Sequence, residues 1–337
     1  MAEPISRPEA AAPLLEVRGL VKHFATRRTV WDAIGRRPAQ FLRAVDGVSL
    51  EVFRGQTLGL VGESGCGKST LGRTLVGLWQ PDAGEVRYAG TEITHLSDGA
   101  RKPFTRRIQM VFQDPYSSLN PRQRVANTLR EVLDVHNLGE PMTRADTVID
   151  LLRKVGLAAV DGRKFPGEFS GGQRQRVGIA RALAVSPELL IADEPVSALD
   201  VSIQAQILRL LLDLREQLHL TMIFISHDLR VIRYLSDAVA VMYLGKIVER
   251  APTRELFRGP LHPYTRGLLG AVPEVGVSQR REVIRMEGEL PSAINVPGGC
   301  RFHPRCPFKV ARCTEEVPEL REMGTGHQVA CHLAREI

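Results

Sequence analysis

The sequence predicts an α/β fold in which a mainly parallel sheet carries the functional loops. Short aliphatic runs alternate along the chain with helices that are apolar on one face, a pattern typical of βαβ units with right-handed crossovers. A glycine-rich loop follows one aliphatic run directly, and four of the five cysteines lie between residues 300 and 331. We therefore expect an α/β core followed by a small cysteine-containing extension.

Length and composition narrow the class of protein. With 337 residues the chain has room for about two domains. Apolar residues make up 43% and charged residues 25%, which is ordinary for a globular protein. The longest apolar runs fall well short of the ~20 residues of a spanning helix, and the first dozen residues lack the apolar segment of a secretory signal. We expect neither an integral membrane protein nor a secreted one. The net charge of +7 is only weak evidence for an anionic partner.

The first elements surround the glycine-rich loop. Residues 14–24 alternate between apolar and polar positions like a strand, and residues 48–52 predict a second strand. The basic stretch 27–43 between them has no clear pattern. Residues 57–61 (TLGLV) form a continuous aliphatic run, typical of a strand buried on both faces. A helix then presents leucines on one face, at Leu71, Leu75 and Leu78.

Later elements complete the sheet and suggest the domain limits. Two further buried strands are predicted at residues 188–192 and 221–226, and a helix lies between them. Its apolar positions are Ile203, Ile207, Leu211, Leu214 and Leu218. Residues 114–180 have helical periodicity, which predicts an inserted helical subdomain. Proline and glycine punctuate the chain after residue 250. We predict a first domain over residues 1–250 and an extension over residues 251–337.

The segment GESGCGKS, Gly62 to Ser69, has the G-x-x-x-x-G-K-[ST] pattern of a phosphate-binding loop. Its glycines let successive backbone N–H groups face the phosphates at a helix N-terminus. Lys68 would add a positive charge at the β- and γ-phosphates, and the Ser69 hydroxyl would ligate Mg²⁺. Cys66 is interpreted as a small loop residue. The predicted nucleotide contacts in this segment are Gly62, Ser64, Gly65, Cys66, Gly67, Lys68, Ser69 and Thr70.

Polar groups at two strand ends supply candidates for the chemistry. Asp193 and Glu194 end the apolar run at 188–192, and adjacent strand residues point in opposite directions. Asp193 can therefore hold Mg²⁺ while Glu194 orients or deprotonates the attacking water. His227 follows the run at 221–226, at the edge where open α/β sheets bind ligands.

An ordered set of motifs accompanies these residues. VFQDP lies at 111–115, FSGGQ at 169–173, SALD at 197–200 and SHD at 226–228. With the loop and the acidic pair, this set resembles the nucleotide-binding subunit of ATP-binding cassette (ABC) transporters, from about residue 14 to the end. The resemblance implies a P-loop NTPase core. Phe169 stands where the family usually has leucine, which keeps the position apolar.

The resemblance also implies roles for particular residues. ATP would lie between two subunits, held by Lys68 of one and by Ser170 and Gly172 of the other. Gln113 would ligate Mg²⁺ and sense the membrane subunit, and Asp200 would bridge the dimer. The implied catalytic residues are Lys68, Gln113, Glu194 and His227, and the further implied nucleotide contacts are Phe24, Ser170, Gly172, Gln173, Asp200 and His227. Phe24 is the predicted adenine-stacking aromatic, with Trp31 and Phe41 as alternatives.

The cysteine-containing tail predicts a metal site. Five, six and seventeen residues separate Cys300, Cys306, Cys313 and Cys331, and this spacing does not match the paired C-x₂-C of common zinc ribbons. Four thiolates suit tetrahedral Zn²⁺ or a [4Fe–4S] cluster. The tail, with residues 113–122 and 259–269, resembles ATPase subunits of dipeptide and oligopeptide importers, and that resemblance favours the cluster over zinc or free thiols.

The implied function is hydrolysis of ATP with Mg²⁺ to drive import of di- or oligopeptides across the plasma membrane. The protein would be peripheral on the cytoplasmic face, docked on two permease subunits fed by an extracytoplasmic peptide-binding protein. The insertion before Val45 resembles the second of two paralogous ATPases, which implies a heterodimer. Nickel or glutathione import is an alternative. A soluble ABC ATPase acting on nucleic acid is a remote one, because Gln113 and Ser170 are only 57 positions apart, too close for a long coiled coil between them.

Overall fold

A computed structural model describes residues 12–26, 40–114, 116, 118–271, 286 and 288–336. The chain divides into two compact units. The described parts of unit 1 are residues 12–26, 40–52, 58–94, 226–271, 286 and 288–336, and those of unit 2 are residues 53–57, 95–114, 116 and 118–225.

The strands are mostly short and aliphatic. They are β1 (Leu15–Ala25), β2 (Phe41–Val52), β3 (Thr57–Val61), β4 (Ala83–Tyr88), β5 (Thr91–Glu92), β6 (Ile108–Val111), β7 (Leu189–Asp193), β8 (Thr221–Ile225), β9 (Ala238–Tyr243), β10 (Lys246–Pro252), β11 (Arg321–Gly324) and β12 (His327–Val329).

The helices alternate with these strands. They are α1 (Lys68–Leu75), α2 (Asp98–Arg107), α3 (Val125–Val135), α4 (Arg144–Lys154), α5 (Gly171–Leu183), α6 (Val201–Leu218), α7 (Leu229–Leu235), α8 (Thr253–Arg258), α9 (Pro263–Gly270) and α10 (Ala311–Glu315), with 3₁₀ turns at Ala159–Arg163, Pro166–Glu168 and His303–Arg305. Within the ranges described above, no helix has an apolar stretch long enough to cross a bilayer.

Unit 1 contains an antiparallel sheet in the order β2-β1-β4-β5 and a second group of strands around β9. In that group β3 pairs in parallel with β9, whereas β10 pairs antiparallel with both β9 and β12. β12 in turn pairs with β11. The C-terminal extension thus continues the strand pairing of this unit.

Unit 2 has parallel pairing of β6 with β7 and of β7 with β8. Every residue of β7 and β8 is buried, as expected for strands covered on both faces. The predicted helical subdomain at 114–180 is filled by α3, α4, two 3₁₀ turns and the start of α5, and its described residues contain no strand.

Several boundaries differ from those predicted. β2 begins at Phe41, inside the stretch 27–43 that showed no pattern; residues 27–39 of that stretch lie outside the described residues. α1 ends at Leu75, so Leu78 is off the helix and 56% exposed. Gly77 adopts a left-handed φ of 81° just before it, which is a typical way to end a helix.

Residue 250, the predicted limit of the first domain, lies inside β10. Proline and glycine after residue 250 lie in loops of unit 1, and the division into residues 1–250 and 251–337 stays a prediction. β4 and β6 were not predicted at all. Each is short, and proline, glycine or basic residues flank it, which hides the apolar pattern.

Candidate functional site

The glycine-rich loop lies between β3 and α1 and is curled by its glycines. Gly62, Gly65 and Gly67 have φ values of 155°, 81° and 108°, in the region that only glycine adopts without strain. Gly67 is the N-cap of α1, which begins at Lys68 without any intervening turn. The backbone therefore turns sharply at the helix N-terminus, where N–H groups lack intrahelical partners and can bind an anion.

Lys68 is 4% exposed and holds the loop from within. Its Nζ donates hydrogen bonds to the carbonyl oxygens of Gly62, at 2.8 Å, and Glu63, at 3.0 Å. Ser69 and Thr70 follow in the first turn and are half-buried, while Ser64 and Gly65 are exposed at the solvent edge. The loop thus surrounds an ammonium group with backbone dipoles, an arrangement suited to phosphate groups.

Cys66 is buried beneath the loop, and burial raises the pKa of its thiol. A thiol in this state is a poor nucleophile. Cys66 has a structural role, because its backbone carbonyl accepts a hydrogen bond from the Gly245 N–H at 2.9 Å.

The predicted adenine-stacking residue Phe24 is half-buried at the end of β1. Its ring is edge-on to Trp79, with the centroids 4.9 Å apart. Of the two alternatives, Phe41 is 47% exposed and Trp31 lies outside the described residues. His227 is exposed and directly follows the buried Ser226.

In unit 2 the end of β7 presents the acidic pair. Asp193 is fully buried, and Glu194 is half-buried with a left-handed φ of 43°. The Glu194 N–H donates to the Ile225 carbonyl at 3.0 Å, which fixes the turn after the strand. The Gln113 side-chain amide donates to the Glu194 carboxylate at 3.2 Å. The structure therefore brings Gln113 and Glu194 together, with Asp193 adjacent in the chain.

The FSGGQ segment begins α5 with a capping box. The Ser170 hydroxyl accepts from the Gln173 N–H at 3.3 Å, and the Gln173 side-chain oxygen accepts from the Ser170 N–H at 3.0 Å. A Cβ on Gly172 would lie 2.4 Å from Ile203, so only glycine fits there. Phe169 is buried, which explains why an apolar substitute for leucine is accepted.

Asp200 is the exposed N-cap of α6 in the same unit. Its side chain makes no capping hydrogen bond. The role of Asp200 as a bridge between two subunits stays a prediction.

The four tail cysteines are neighbours within unit 1. The Cys300 N–H donates to the Cys313 carbonyl at 2.8 Å. Burial, together with the nearby thiols of Cys313, Cys331 and Cys306, raises the pKa of Cys300 to about 12. The donor chemistry fits a thiophilic metal, but the described residues contain no group of three or more metal-ligating side chains in a binding arrangement. The predicted iron–sulfur cluster therefore stays a prediction.

Sequence reasoning missed a contact between the glycine-rich loop and the C-terminal extension. The Glu63 N–H donates to the Tyr264 hydroxyl at 2.8 Å, and Arg305 pairs with the Glu63 carboxylate. The segment at residues 259–269 was a usable signal, because it resembles a known family segment, but nothing local indicates which loop it contacts.

Comparison with known proteins agrees with this arrangement. The profile of the ABC transporter family matches residues 45–197, and the profile described as the C-terminal region of oligopeptide/dipeptide transporters matches residues 248–313. The oligopeptide transport ATP-binding protein AppF of Bacillus subtilis is 50% identical over 95% of this chain and 97% of its own length. The di/tripeptide transport ATP-binding protein DppF of Pseudomonas aeruginosa is 45% identical over 96% of this chain and 98% of its own.

Solved structures show the same fold. The dimeric ATP-binding cassette MJ0796, bound to ADP and Pi after hydrolysis, superposes with a TM-score of 0.62 at 26% identity. The match covers 71% of this chain and 99% of that one. CbiO1 of Clostridium perfringens, part of the ABC transporter complex cbiONQ, superposes with a TM-score of 0.61 at 26% identity, covering 73% of this chain and 91% of its own.

Proposed function

The chain belongs to the ATP-binding subunits of ABC transporters that import oligopeptides and dipeptides, and from this premise we propose which residues bind ATP, which hydrolyse it and what the protein assembles with. It is an ATPase of the P-loop class. The single observation that carries the residue assignments is the curled loop at Gly62–Ser69, with Lys68 buried inside it at the start of α1.

ATP would be held through its phosphates by this loop. The backbone N–H groups between Gly62 and Thr70 would bind phosphate oxygens, and Lys68 would exchange its carbonyl partners in part for the β- and γ-phosphates. Phe24, the half-buried aromatic at the end of β1, would stack on the adenine. His227 would contact the γ-phosphate.

Each unit contains side chains whose oxygen atoms are suitable ligands for Mg²⁺. Ser69, Gln113 and Asp193 would hold it; a carboxylate as deeply buried as Asp193 is well suited to a hard cation. Bound Mg²⁺ would neutralise charge on the phosphates. Glu194 would orient and deprotonate the attacking water, and Gln113, which donates a hydrogen bond to its carboxylate, would help to position that carboxylate.

Two ATPase subunits would enclose each nucleotide. Ser170, Gly172 and Gln173 form a second helix N-terminus with phosphate-binding character, and Asp200 would bridge the two subunits. The dimeric, nucleotide-bound state of the MJ0796 cassette supports this assembly. We expect a paralogous ATPase as the partner, in a heterodimer.

The remaining partners follow from transport. The protein would be peripheral on the cytoplasmic face of the plasma membrane, docked on two permease subunits that receive di- or oligopeptides from an extracytoplasmic binding protein. The surface around Gln113 to Asn120 would contact the permeases. Gln113, Asp114, Tyr116 and Asn120 are exposed there, and Pro115 and Ser117 lie outside the described residues. No nucleic acid is expected as a partner.

The four tail cysteines would hold a [4Fe–4S] cluster, with Zn²⁺ as the alternative. What supports this is the donor set of four soft thiols, which lie close enough that neighbouring thiols contribute to the raised pKa of Cys300, Cys306 and Cys331. We assign it no part in ATP hydrolysis. A cluster would cross-link a segment that has little core of its own.

The test is replacement of Glu194 by glutamine. Glu194→Gln should bind MgATP with the wild-type Kd, lower the rate of phosphate release at least about 100-fold, and accumulate an ATP-bound dimer in size-exclusion chromatography. Glu216→Gln, an exposed residue of α6, is the matched control and should leave all three unchanged. Hydrolysis near the wild-type rate in Glu194→Gln would refute Glu194 as the base.

Cargo needs a separate measurement. In cells whose own copy is deleted, uptake of a labelled dipeptide should be restored by the wild-type chain and not by Glu194→Gln. Restoration of nickel or glutathione uptake instead of peptide uptake would refute the peptide assignment while leaving the ATPase assignment intact.

A further inference from the structure

The C-terminal extension contacts the phosphate loop at Glu63. Tyr264 accepts a hydrogen bond from the Glu63 N–H at 2.8 Å. Arg305 Nη1 lies 2.9 Å and 3.1 Å from the two Glu63 carboxylate oxygens. The Arg305 side chain is 9% exposed and that of Glu63 24% exposed. This ion pair is thus largely shielded from solvent, where Coulombic interactions are stronger than at the surface.

Tyr264 is rigidly placed for this contact. It lies in the first turn of α9, and its N–H donates to His262 Nδ1 at 3.0 Å. Its fully buried ring packs against Tyr243 and Phe302, with centroids 4.7 Å and 5.5 Å away. Phe302 itself belongs to the cysteine-containing segment. The tyrosine hydroxyl therefore has a fixed position relative to the extension.

Arg301 reinforces the same region from the other side. Its guanidinium donates to the Leu244 carbonyl and to the Asp46 carboxylate. The next residue after Leu244, Gly245, donates its N–H to the Cys66 carbonyl in the phosphate loop at 2.9 Å. Arg301 and Arg305 both lie in the short segment between Cys300 and Cys306. This one segment therefore contacts Glu63 in the loop and also Leu244, next to the residue that binds the loop.

Glu63 connects these contacts to the lysine of the loop. Its N–H is taken by Tyr264, and its carbonyl oxygen accepts from Lys68 Nζ at 3.0 Å. Its carboxylate adds a negative charge in the loop that is predicted to bind triphosphate, and such a charge repels phosphate unless a cation neutralises it. Arg305 supplies that cation.

We propose that Arg305 and Tyr264 are positioning residues for ATP binding, which act through Glu63, so that the C-terminal extension sets the affinity of the phosphate loop for ATP. The inference rests on the proposed role of Gly62–Ser69 in binding phosphate. Neither residue touches the nucleotide. Arg305 cancels the charge of Glu63. Tyr264 fixes the orientation of the peptide group of Glu63, whose carbonyl oxygen accepts the hydrogen bond from Lys68.

The test measures the Kd for MgATP by titration calorimetry, with KM and kcat from phosphate release, on the full-length chain. Arg305→Met should raise Kd and KM about tenfold, the typical coupling between neighbouring charged groups, and leave kcat at saturating ATP within about twofold. The double variant Glu63→Gln with Arg305→Met should return Kd to within about threefold of wild type, because no uncompensated carboxylate remains. Arg305→Lys should restore part of the affinity, and Tyr264→Phe should raise Kd several-fold.

Arg312→Met is the matched control. Arg312 is also one residue from a cysteine and forms an ion pair, with Glu316 at 2.7 Å, but that pair is exposed and makes no contact with the loop. It should leave Kd unchanged. If a thermal-unfolding scan shows that Arg305→Met is not folded, the Kd values of Glu63→Gln and Arg305→Lys are compared with that of the wild type instead.

Two results would overturn the inference: an unchanged Kd in Arg305→Met, or losses that simply add in the double variant. Lys68→Ala separates this failure from failure of the nucleotide site. Loss of ATP binding in Lys68→Ala with none in Arg305→Met overturns only the role of the extension, whereas ATP binding that survives Lys68→Ala overturns both.

Discussion

Replacement of Gly67 by alanine should abolish ATP binding by deforming the phosphate loop. Gly67 has a φ of 108°, and a Cβ built on it would lie 1.9 Å from the Ala44 carbonyl oxygen and 2.8 Å from the Met242 side chain. Real Cβ atoms essentially never approach another heavy atom closer than 3.0 Å. Because the nearer obstacle is backbone of β2, no change of rotamer relieves the overlap.

The structure separates two costs of this substitution. A left-handed backbone costs an L-residue about 1–2 kcal/mol, and overlap with a packed backbone adds about 1–3 kcal/mol. Gly67→Ala should therefore lower the free energy of unfolding by about 2–5 kcal/mol. Gly65 is the matched control: its φ is 81°, but a Cβ there would meet nothing within 4 Å. Gly65→Ala should lose only about 1–2 kcal/mol.

Urea unfolding of both variants, with calorimetric titration of MgATP, tests the reasoning. Gly65→Ala should keep measurable affinity for ATP, while Gly67→Ala should show none at concentrations that saturate the wild-type protein. Equal losses of stability and affinity in the two variants would refute the argument from the Ala44 contact, because only backbone strain is common to both.

Two further predictions concern the extension. Burial lowers the pKa of His262 to about 4 from 6.5, so the unfolded chain binds more protons between these values and stability should fall as the pH drops through that window, by about 2 kcal/mol at pH 5. His262→Asn should flatten this dependence in urea unfolding at pH 5 and pH 7, and an unchanged slope would contradict the assignment. Anaerobically purified protein should contain iron and absorb broadly in the visible range, and Cys306→Ser should lose both; a colourless protein with stoichiometric zinc would show that the metal is zinc.

The parts of the site that could be predicted from sequence are those built from consecutive residues. The phosphate loop needs its glycines and lysine at fixed spacing between a strand and a helix, and the acidic pair must end a buried strand, so both leave a local pattern. The Ser170 capping box is local in the same way. In each case the chemistry and the chain geometry are specified within a few residues.

What could not be predicted depends on residues far apart in the chain. Glu63 and Arg305 are 242 positions apart, and neither has a pattern that names the other as its partner. The pairing of β10 with β12, about 80 residues later, lacks a local signal for the same reason. Composition reports where loops occur, but strand pairing decides which segments share a unit.

A buried carboxylate explains how the extension can act on the loop at all. Glu249 in β10 is fully buried, and an unpaired charge there would be costly. Its oxygens accept hydrogen bonds from the Leu261 and His262 N–H groups, at 2.6 Å and 3.0 Å, and lie 2.7 Å from His327 Nε2. Removing any one donor would leave the buried charge with fewer hydrogen bonds, which is unfavourable. The residues just before α9 are therefore held in one position relative to β10.

From that anchor a continuous series of hydrogen bonds reaches the nucleotide loop. His262 binds the Tyr264 N–H, the Tyr264 hydroxyl binds the Glu63 N–H, and the Glu63 carbonyl binds Lys68. Each member is buried or partly buried, where hydrogen bonds are stronger than in water. The series is contiguous within unit 1 and ends on the ammonium group that would bind ATP. A change at the extension that shifts Tyr264 must therefore alter either the peptide orientation of Glu63 or the position of Lys68, and both alterations change the affinity for a triphosphate.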